Sequence, residues 1–288
     1  MIKSNQYACG QLSLAALEIG HPKTADISVV FLHGWLDNAA SFETVMTELH
    51  QCHPLLHLCA IDLPGHGLSE HKGDGHFYPF HDYIDDVYQL LTTLSPNKLV
   101  LVGHSLGALI ASCYSAAFPE KVAGLMQIEG DGPLAESAVN SVERLREGVK
   151  SRQRIRRKPE RAMATIEEAI ERRAAVNHLA PELIAPVVKR GLVRGEQGWL
   201  WRHDKRLQAD SLYRMPFESA EQFRQHIVCP QLILLGEQGF AALKQAKPVA
   251  KGDVEIHTIA GGHHCHLQQP KAVAERIFGL VNKIETSV

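Results

Sequence analysis

The sequence predicts an α/β protein with a mostly parallel central sheet, helices on both faces of that sheet, and a helical cap insertion. The first observation is a series of short apolar runs rich in β-branched residues, which are typical of strands buried on both faces. The second is that amphipathic segments separate these runs, giving the alternation of strand and helix that a parallel sheet requires. The third is one long stretch in the middle of the chain where the strand signal stops.

The apolar runs and the segments between them give the elements in chain order. The predicted strands are 27–32, 55–61, 98–102, 122–128, 231–235 and 254–259. The predicted helices are 39–51, 80–94, 105–118 and 240–249, with a last helix from about residue 270. Ligands of such sheets bind beyond the carboxyl ends of the strands, so the chemistry is expected in the loops that follow each strand.

The stretch without strand signal divides the chain into two predicted units. Residues 1–132 and 216–288 are predicted to form the α/β core, and residues 133–215 a helical cap inserted into it. Within the cap, residues 144–161 are strongly basic. Glutamates are interleaved with these bases, which favours a solvated helix face and leaves binding of an acidic ligand as the alternative.

Composition excludes several classes of protein. The 288 residues carry 30 Lys and Arg against 32 Asp and Glu, a balance that argues against a nucleic-acid partner. No apolar run has the roughly 18 residues needed to span a bilayer, and the first twenty or so residues lack a signal-peptide apolar region. None of the six cysteines forms a CxxC pair. We therefore expect a cytoplasmic protein with reduced thiols and no membrane partner.

The most informative motif is Gly103-His104-Ser105-Leu106-Gly107, a G-x-S-x-G between a predicted buried strand and a predicted helix. A sharp turn from strand to helix holds the central serine in a strained backbone conformation, and the flanking positions come too close to their neighbours for a Cβ. The serine hydroxyl is thereby raised above the sheet at a helix N-terminus, where the helix dipole favours negative charge. This context predicts Ser105 as a nucleophile.

Three further segments, together with this motif, make the chain resemble the α/β-hydrolase superfamily of the serine-nucleophile type, closest in look to serine hydrolase-like proteins. They are His33-Gly34-Trp35 after the first parallel strand, the loop DLPGHGLS at 62–69, and Gly262-His263 after the last strand. The resemblance covers about residues 10–132 and 216–288. It implies an oxyanion hole formed by the backbone N–H groups of Leu106, which follows the nucleophile, and Trp35.

The resemblance implies His263 as the catalytic base, because it follows Gly262 after the last strand. His264 and His266 are the alternatives within the same segment, GGHHCHLQQP. A metal site built from His263, His264, Cys265 and His266 is disfavoured, since adjacent residues cannot easily turn four donors onto one tetrahedral ion. We therefore expect no metal and no organic cofactor.

The acid is where the sequence departs from the common family pattern. The resemblance places an aspartate at position 239, which here is Gly239 and has no carboxylate. A subset of the superfamily carries the acid after the preceding core strand, where this chain has Glu129. We predict Glu129 as the acid, with Asp131 second and Glu237 third. A degenerate, non-catalytic triad is the remaining alternative.

A serine at this position indicates acyl transfer, because the relatives that displace halide or open epoxides use an aspartate there. The predicted function is hydrolysis of a small-molecule carboxylic ester through an acyl-enzyme. The alternatives are the same triad acting on a carbon–carbon, thioester or amide bond, and a ligand-binding protein without catalysis. A homodimer is left open.

The chain has 17 histidines, a surplus that first suggests a metal site. One of them, His263, is the predicted base. His33, His66 and His104 lie in the motif loops and are predicted to hydrogen-bond those loops rather than to act as bases. The sequence gives no function to the others.

Overall fold

The computed structural model describes residues 1–245 and 253–286. Its central sheet has eight strands, six of which were predicted. They are β1 (Lys3–Cys9), β2 (Leu12–Ile19), β3 (Ile27–Leu32), β4 (His57–Ile61), β5 (Lys98–His104), β6 (Gly124–Ile128), β11 (Gln231–Gly236) and β12 (Val254–Ile259). Four short strands lie outside this sheet: β7 (Ala135–Glu136), β8 (Leu192–Gly195), β9 (Gly198–Trp201) and β10 (Met215–Pro216).

Helices connect the strands and fill the insertion. They are α1 (Glu43–Cys52), α2 (Asp82–Leu94), α3 (Leu106–Ala117), α4 (Ser141–Arg157), α5 (Ile166–Asn177), α6 (Pro181–Arg190), α7 (Phe217–His226), α8 (Ala241–Gln245), α9 (Cys265–Gln268) and α10 (Pro270–Thr286). The predicted helix at 240–249 corresponds to α8, and its positions 246–249 lie outside the described residues.

The strand order is β1-β2-β4-β3-β5-β6-β11-β12. The pairings from β4 to β12 are parallel, and only β1 with β2 and β2 with β4 pair antiparallel within this sheet of the described chain. The predicted fold class, a mostly parallel sheet with helices on both faces, is therefore confirmed. The carboxyl ends of β5, β6, β11 and β12 lie side by side, and this brings the loops that follow them to one edge.

Residues of β3 show how the sheet buries both of its faces. All six residues of this strand are buried. Val29 and Phe31 join the apolar cluster that includes side chains of α1 and α10, whereas Val30 and Leu32 join the cluster that includes side chains of α2 and α3. Alternate residues of a strand point to opposite faces, so a strand covered by helices on both sides is apolar throughout.

The sequence analysis did not predict the antiparallel hairpin of β1 and β2. Gly10, with φ of +60°, makes the turn between these strands, a conformation that glycine adopts without steric cost. β1 is largely exposed at the edge of the sheet and carries polar residues, so it lacks the apolar run that marked the other strands. A glycine between two extended segments was the available signal.

The insertion between β6 and α7 contains α4, α5 and α6, as its helical pattern predicted, together with the short strands β7 to β10. Strands β7 and β10 pair with each other where the insertion leaves and rejoins the core. The boundaries at 133 and 215 stay a prediction, although this pairing lies close to both. No helix among residues 1–245 and 253–286 has the length and apolar character needed to cross a membrane.

Buried ion pairs attach the insertion to the core. Arg173 of α5 donates to Asp37 at 2.7 Å, and Arg190 of α6 contacts Asp62 at 2.9 Å. Both carboxylates are almost completely buried and lie in loops that follow core strands. A buried carboxylate that loses its cation is costly, so these pairs fix the position of α5 and α6 against the loops of the core.

Candidate active site

Ser105 lies in the turn between β5 and α3 with φ of +49° and ψ of −115°, a conformation that L-residues rarely adopt. Its backbone N–H donates to the carbonyl oxygen of Ile128 in β6 at 2.9 Å, which fixes the turn against the neighbouring strand. A Cβ on Gly103 would overlap the backbone of Gly107 and Ala108. The two motif glycines are thus required by close approach, since a Cβ on Gly107 would in turn overlap the Leu32 carbonyl group.

Glu129 and His263 come together at the carboxyl edge of the sheet. The Nδ1 atom of His263 lies 3.3 Å from Oε2 of Glu129. The same carboxylate accepts the backbone N–H of Gly236 at 2.7 Å through Oε1 and that of Phe240 at 3.0 Å through Oε2. The Glu129 side chain is fully buried, whereas that of His263 is 26% exposed. The imidazole therefore has Nδ1 held by a buried carboxylate, while its side chain remains partly exposed.

Gly239 explains why this carboxylate fits. A Cβ at position 239 would overlap the Glu129 carboxyl group. The side chain that the common family pattern places at position 239 would compete for the space that Glu129 occupies. The absence of a side chain at 239 therefore makes room for the Glu129 carboxylate at the end of β6.

The electrostatic environment keeps Glu129 ionised. Burial alone would raise the pKa of its carboxyl group, but the hydrogen bonds from His263, Phe240 and Gly236 outweigh burial and lower that pKa below its usual value. The backbone of Glu129 also has φ of +51°, unusual for a residue other than glycine. Such strain persists only where surrounding contacts over-determine the conformation, and it is concentrated at functional sites.

The other two carboxylates considered from the sequence lie elsewhere. Asp131 contacts Arg224 of α7, with 3.5 Å between the carboxylate and Nε. Burial, the largest effect, raises the pKa of Asp131 despite this arginine. Glu237 is exposed on the loop after β11. Of the three, only Glu129 contacts His263 within residues 1–245 and 253–286.

The two alternative bases lie behind His263 rather than at an open surface. His264 is buried, with Nε2 at 3.4 Å from Asp37 Oδ2. His266 is completely buried and packs against Phe42 and His104, with ring centroids 5.2 and 4.1 Å away. Neither position suits a base that must reach a substrate.

The three histidines of the motif loops make contacts that hold those loops. The Nδ1–H of His33 donates to the Gly34 carbonyl at 2.8 Å, and its Nε2 accepts the N–H of Leu63 at 3.0 Å. His66 contacts the Pro64 carbonyl through Nδ1 at 3.1 Å. The Nε2–H of His104, next to the serine, donates to the carbonyl of His263 at 2.8 Å. This last bond connects the serine turn directly to the segment that carries His263.

The loop after β3 lies against the serine turn. A Cβ on Gly34 would be 2.8 Å from Nδ1 of His104, so this glycine permits close packing. The N–H of Trp35 has no acceptor among the described residues, and Leu106, as the first residue of α3, has an N–H without an intrahelical partner. Both N–H groups are therefore free to bind an external oxygen. The Trp35 indole donates to the Leu207 carbonyl of the insertion at 3.0 Å.

A cavity of about 380 Å³ opens above Ser105. Trp35 and Leu106 line it together with the serine. Most of the remaining wall is apolar or aromatic, and comes from the core and the insertion: Tyr78, Phe80, Tyr83, Leu109, Leu134, Leu207, Tyr213 and Met215. The polar part of the wall comes from His81, Gln208, Asp210, Ser211 and Arg214. A concave chamber that combines apolar walls with polar groups is typical of a small-molecule site.

A comparison with known protein families identifies the family of this chain. A model of the family described as the alpha/beta hydrolase fold matches residues 27–270. The chain belongs to the α/β-hydrolase family. Its predicted resemblance to this family is therefore confirmed.

Curated relatives extend the similarity over most of this α/β-hydrolase. A serine hydrolase-like protein of Danio rerio is 26% identical over 266 residues, which cover 86% of this chain and 79% of the relative. Serine hydrolase-like protein 2 of Homo sapiens is 25% identical over 275 residues, covering 86% and 85%. A crystal structure of a hypothetical protein from Pseudomonas aeruginosa is 30% identical, covers 96% and 97% of the two chains, and has a TM-score of 0.84. The predicted closeness to serine hydrolase-like proteins is confirmed. These relatives also support the prediction that the chain is a hydrolase.

Two buried groups of this α/β-hydrolase bring metal-ligating side chains together within the described residues. In each, three ligand atoms lie within 4.8 Å of one another: Asp37 with His104 and His264, and Glu18 with His57 and Cys59. The Glu18 carboxylate is already bonded by Nε2 of His57 at 2.6 Å. Asp37 is already paired with Arg173, which, together with His264, holds the pKa of this carboxyl group well below its usual range despite burial. A cation would have to compete with these bonds.

The buried histidines predict that the protein loses stability in mild acid. Burial lowers the pKa of His266 to about 3 and of His203 to about 4, and it also lowers that of His104 and His66 well below the usual value. In the unfolded chain the same groups take up protons near pH ~6.5. The unfolded state therefore binds more protons than the folded state below that pH, and stability falls as the pH falls.

Urea unfolding measured from about pH 7.5 to about pH 5.5 should show this loss, with each such histidine contributing up to about 1.4 kcal/mol per pH unit below its unfolded pKa. His266→Gln should make the free energy of unfolding less dependent on pH, by the contribution of one bound proton. The matched control is His178→Asn, at an exposed position with positive φ that asparagine tolerates. A stability independent of pH over this interval would contradict the expectation.

Sequence reasoning missed Asp37, Arg173 and Arg190. Asp37 follows the Trp35 loop closely, but nothing in the linear sequence connects it with an arginine 136 positions away. The DLPGHGLS loop was recognised, and the structure adds that Asp62 holds it together by accepting the N–H groups of Ala39 and Leu68, each at 2.7 Å. The partners Arg173 and Arg190 come from the packing of the insertion, which the sequence did not specify.

Proposed function

We propose that this chain is a serine hydrolase that cleaves a carboxylic ester or a related small-molecule acyl substrate through an acyl-enzyme. Ser105 is the nucleophile, His263 the general base and Glu129 the acid that orients the imidazole. The contact between the buried Glu129 carboxylate and Nδ1 of His263 carries this proposal. It supplies the partner that fixes the tautomer of His263 and stabilises its charged form, which Gly239 had put in doubt.

In the proposed first step His263 accepts the Ser105 hydroxyl proton at Nε2 while Oγ attacks the substrate carbonyl carbon. The backbone N–H groups of Trp35 and Leu106 bind the oxygen that becomes negative. Collapse of this intermediate breaks the bond to the leaving group, which takes the proton from His263. The acyl group is now bound to Ser105.

In the second step His263 takes a proton from water, and the resulting hydroxide attacks the acyl-enzyme. The carboxylic acid leaves and the proton returns to Ser105 Oγ. Glu129 remains ionised throughout, because its hydrogen bonds from backbone N–H groups stabilise the charged carboxylate. The insertion acts as a cap that shapes the acyl-binding cavity, and the mechanism needs no metal or cofactor.

Labelling with a fluorophosphonate probe tests the proposal. The expected result is a phosphonyl adduct on Ser105, formed with loss of fluoride and located by mass spectrometry of the peptide. Heat-denatured protein and His263→Ala should not be labelled, because labelling requires the folded site and the base. A folded protein that leaves the probe unreacted would support the non-catalytic alternative instead. A panel of p-nitrophenyl esters with increasing acyl length would then define the preferred acyl group.

A further inference from the structure

A second cavity of about 560 Å³ lies between the Trp35 loop and the insertion. Its volume falls within the range of about 300–1,000 Å³ found for small-ligand sites. Trp35 and Gln208 line both this cavity and the one above Ser105. The two chambers thus share part of their wall and lie side by side at Trp35.

The charges around this second chamber are strongly unbalanced. Its lining carries five cationic side chains against one carboxylate, that of Glu160. The cations are Lys158, Arg161, Arg172, Arg173 and Lys205. The end of the basic segment recognised in the sequence therefore lines a cavity. The helix before it, α4, has the solvated face that the sequence predicts. There, Arg146 and Lys150 form exposed pairs with Glu143 and Glu147.

Some of these cations are already neutralised by carboxylates, and others are not. Arg173 is paired with Asp37 at 2.7 Å and Arg172 with Glu168 at 2.6 Å. The three others have no carboxylate partner among the described residues. Lys158 Nζ contacts the side-chain oxygen of Gln208, Lys205 Nζ donates to the Lys158 carbonyl at 3.0 Å, and Arg161 has no polar partner there.

We propose that this chamber, termed the basic chamber, binds an anionic group of the substrate, a carboxylate or a phosphate, remote from the carbonyl that Ser105 attacks. Lys158, Arg161 and Lys205 supply uncompensated charge, and a concave site focuses their field on one point. Both anions accept the hydrogen bonds that ammonium and guanidinium groups donate. This inference names the substrate class of the proposed hydrolase and so rests on that function for its kinetic test.

Two pairs of substrates distinguish a carboxylate on the acyl group from a phosphate on the leaving group. One member of each pair carries the anionic group and the other does not. A carboxylate on the acyl side is tested by mono-p-nitrophenyl glutarate against p-nitrophenyl butyrate. Phosphates on the leaving group are tested by butanoyl-coenzyme A against butanoyl-N-acetylcysteamine. We expect kcat/KM to favour the anionic member of at least one pair by about tenfold, mainly through KM, and the preference to weaken from about 0.05 M to about 0.5 M salt.

The variant Lys158→Glu/Arg161→Glu should abolish that preference while turnover of the neutral esters stays unchanged. The matched control is Arg146→Glu/Lys150→Glu, which makes the same charge change on the exposed face of α4, away from the basic chamber. Equal kcat/KM for the anionic and neutral members of both pairs would overturn the inference, as would an equal effect of the control variant.

Binding to Ser105→Ala distinguishes failure of this inference from failure of the proposed function. Glutarate and coenzyme A are titrated while the fluorescence of Trp35 and Trp201, which line the basic chamber, is followed. Saturable binding that Lys158→Glu/Arg161→Glu removes supports the inference even if no ester is hydrolysed. No binding of either anion, with neutral esters hydrolysed at Ser105, would reject the inference and leave the proposed function standing.

Discussion

Ser105→Ala is expected to lower kcat for p-nitrophenyl acetate by about 10⁶-fold, the loss typical of removing a serine nucleophile. Alanine adopts the backbone conformation of the turn no less readily than serine, and the Ser105 N–H bond to Ile128 remains. The fold should therefore be retained, and circular dichroism and thermal unfolding should match those of the unchanged protein. The expected loss of kcat would then result from removal of the hydroxyl group alone.

A second serine of the same helix provides the control. Ser112 is buried in α3, donates to the Leu109 carbonyl at 2.8 Å, and does not line the cavity above Ser105. Ser112→Ala should leave kcat within about twofold of the unchanged enzyme, since its hydroxyl bonds within its own helix and does not reach the cavity. Persistent turnover by a well-folded Ser105→Ala protein would exclude the acyl-enzyme at this residue.

Glu129→Gln is expected to lower kcat by about 10⁴-fold, as when the acid of a serine triad becomes an amide. The amide cannot stabilise the imidazolium, and it presents N–H donors where the backbone N–H groups of Gly236 and Phe240 need acceptors. We also expect a loss of stability of about 1–3 kcal/mol from the unpaired buried donor. Steady-state kinetics and urea unfolding measure the two effects separately.

Glu237→Gln and Asp131→Asn are the matched controls, because neither carboxylate contacts His263. Both should keep kcat close to that of the unchanged enzyme. A large loss with Glu237→Gln and none with Glu129→Gln would reverse the assignment of the acid.

Moving the carboxylate gives a more demanding test of the same geometry. Gly239→Asp alone should destabilise the protein, because the new side chain would overlap Glu129. The double variant Glu129→Ala/Gly239→Asp removes that overlap and returns a carboxylate to the same space. It should recover part of the activity that Glu129→Ala loses. If Gly239→Asp were tolerated without loss of stability, the two positions would not share one space.

Local patterns predicted the parts of the site that depend on neighbouring residues. The serine turn was recognisable because Gly103 and Gly107 are required by close approach within one strand–turn–helix unit. The acid could not be chosen in this way. Glu129 reaches His263 because β6 and β12 flank β11 in the sheet, an order that no single segment encodes.

The basic chamber also depends on contacts between distant segments, which no single stretch of sequence encodes. The sequence showed a run of cations with interleaved glutamates, and most of that run is a solvated helix, as predicted. Lys158 and Arg161 follow the end of α4, and they line a cavity together with Trp35 and residues of the β8–β9 hairpin, which are distant in sequence. The direction of such side chains depends on tertiary packing, to which periodicity is insensitive.

The ion pairs of Asp37 with Arg173 and of Asp62 with Arg190 also oppose movement of the insertion away from the core. Lifting α5 and α6 from the core would separate both pairs at once, and removing one partner from a buried pair costs about 3–5 kcal/mol. We therefore expect the insertion to behave as a fixed wall rather than a hinged flap. For the proposed hydrolase, we then expect the lining of the two cavities, more than an opening motion, to select which molecules reach Ser105.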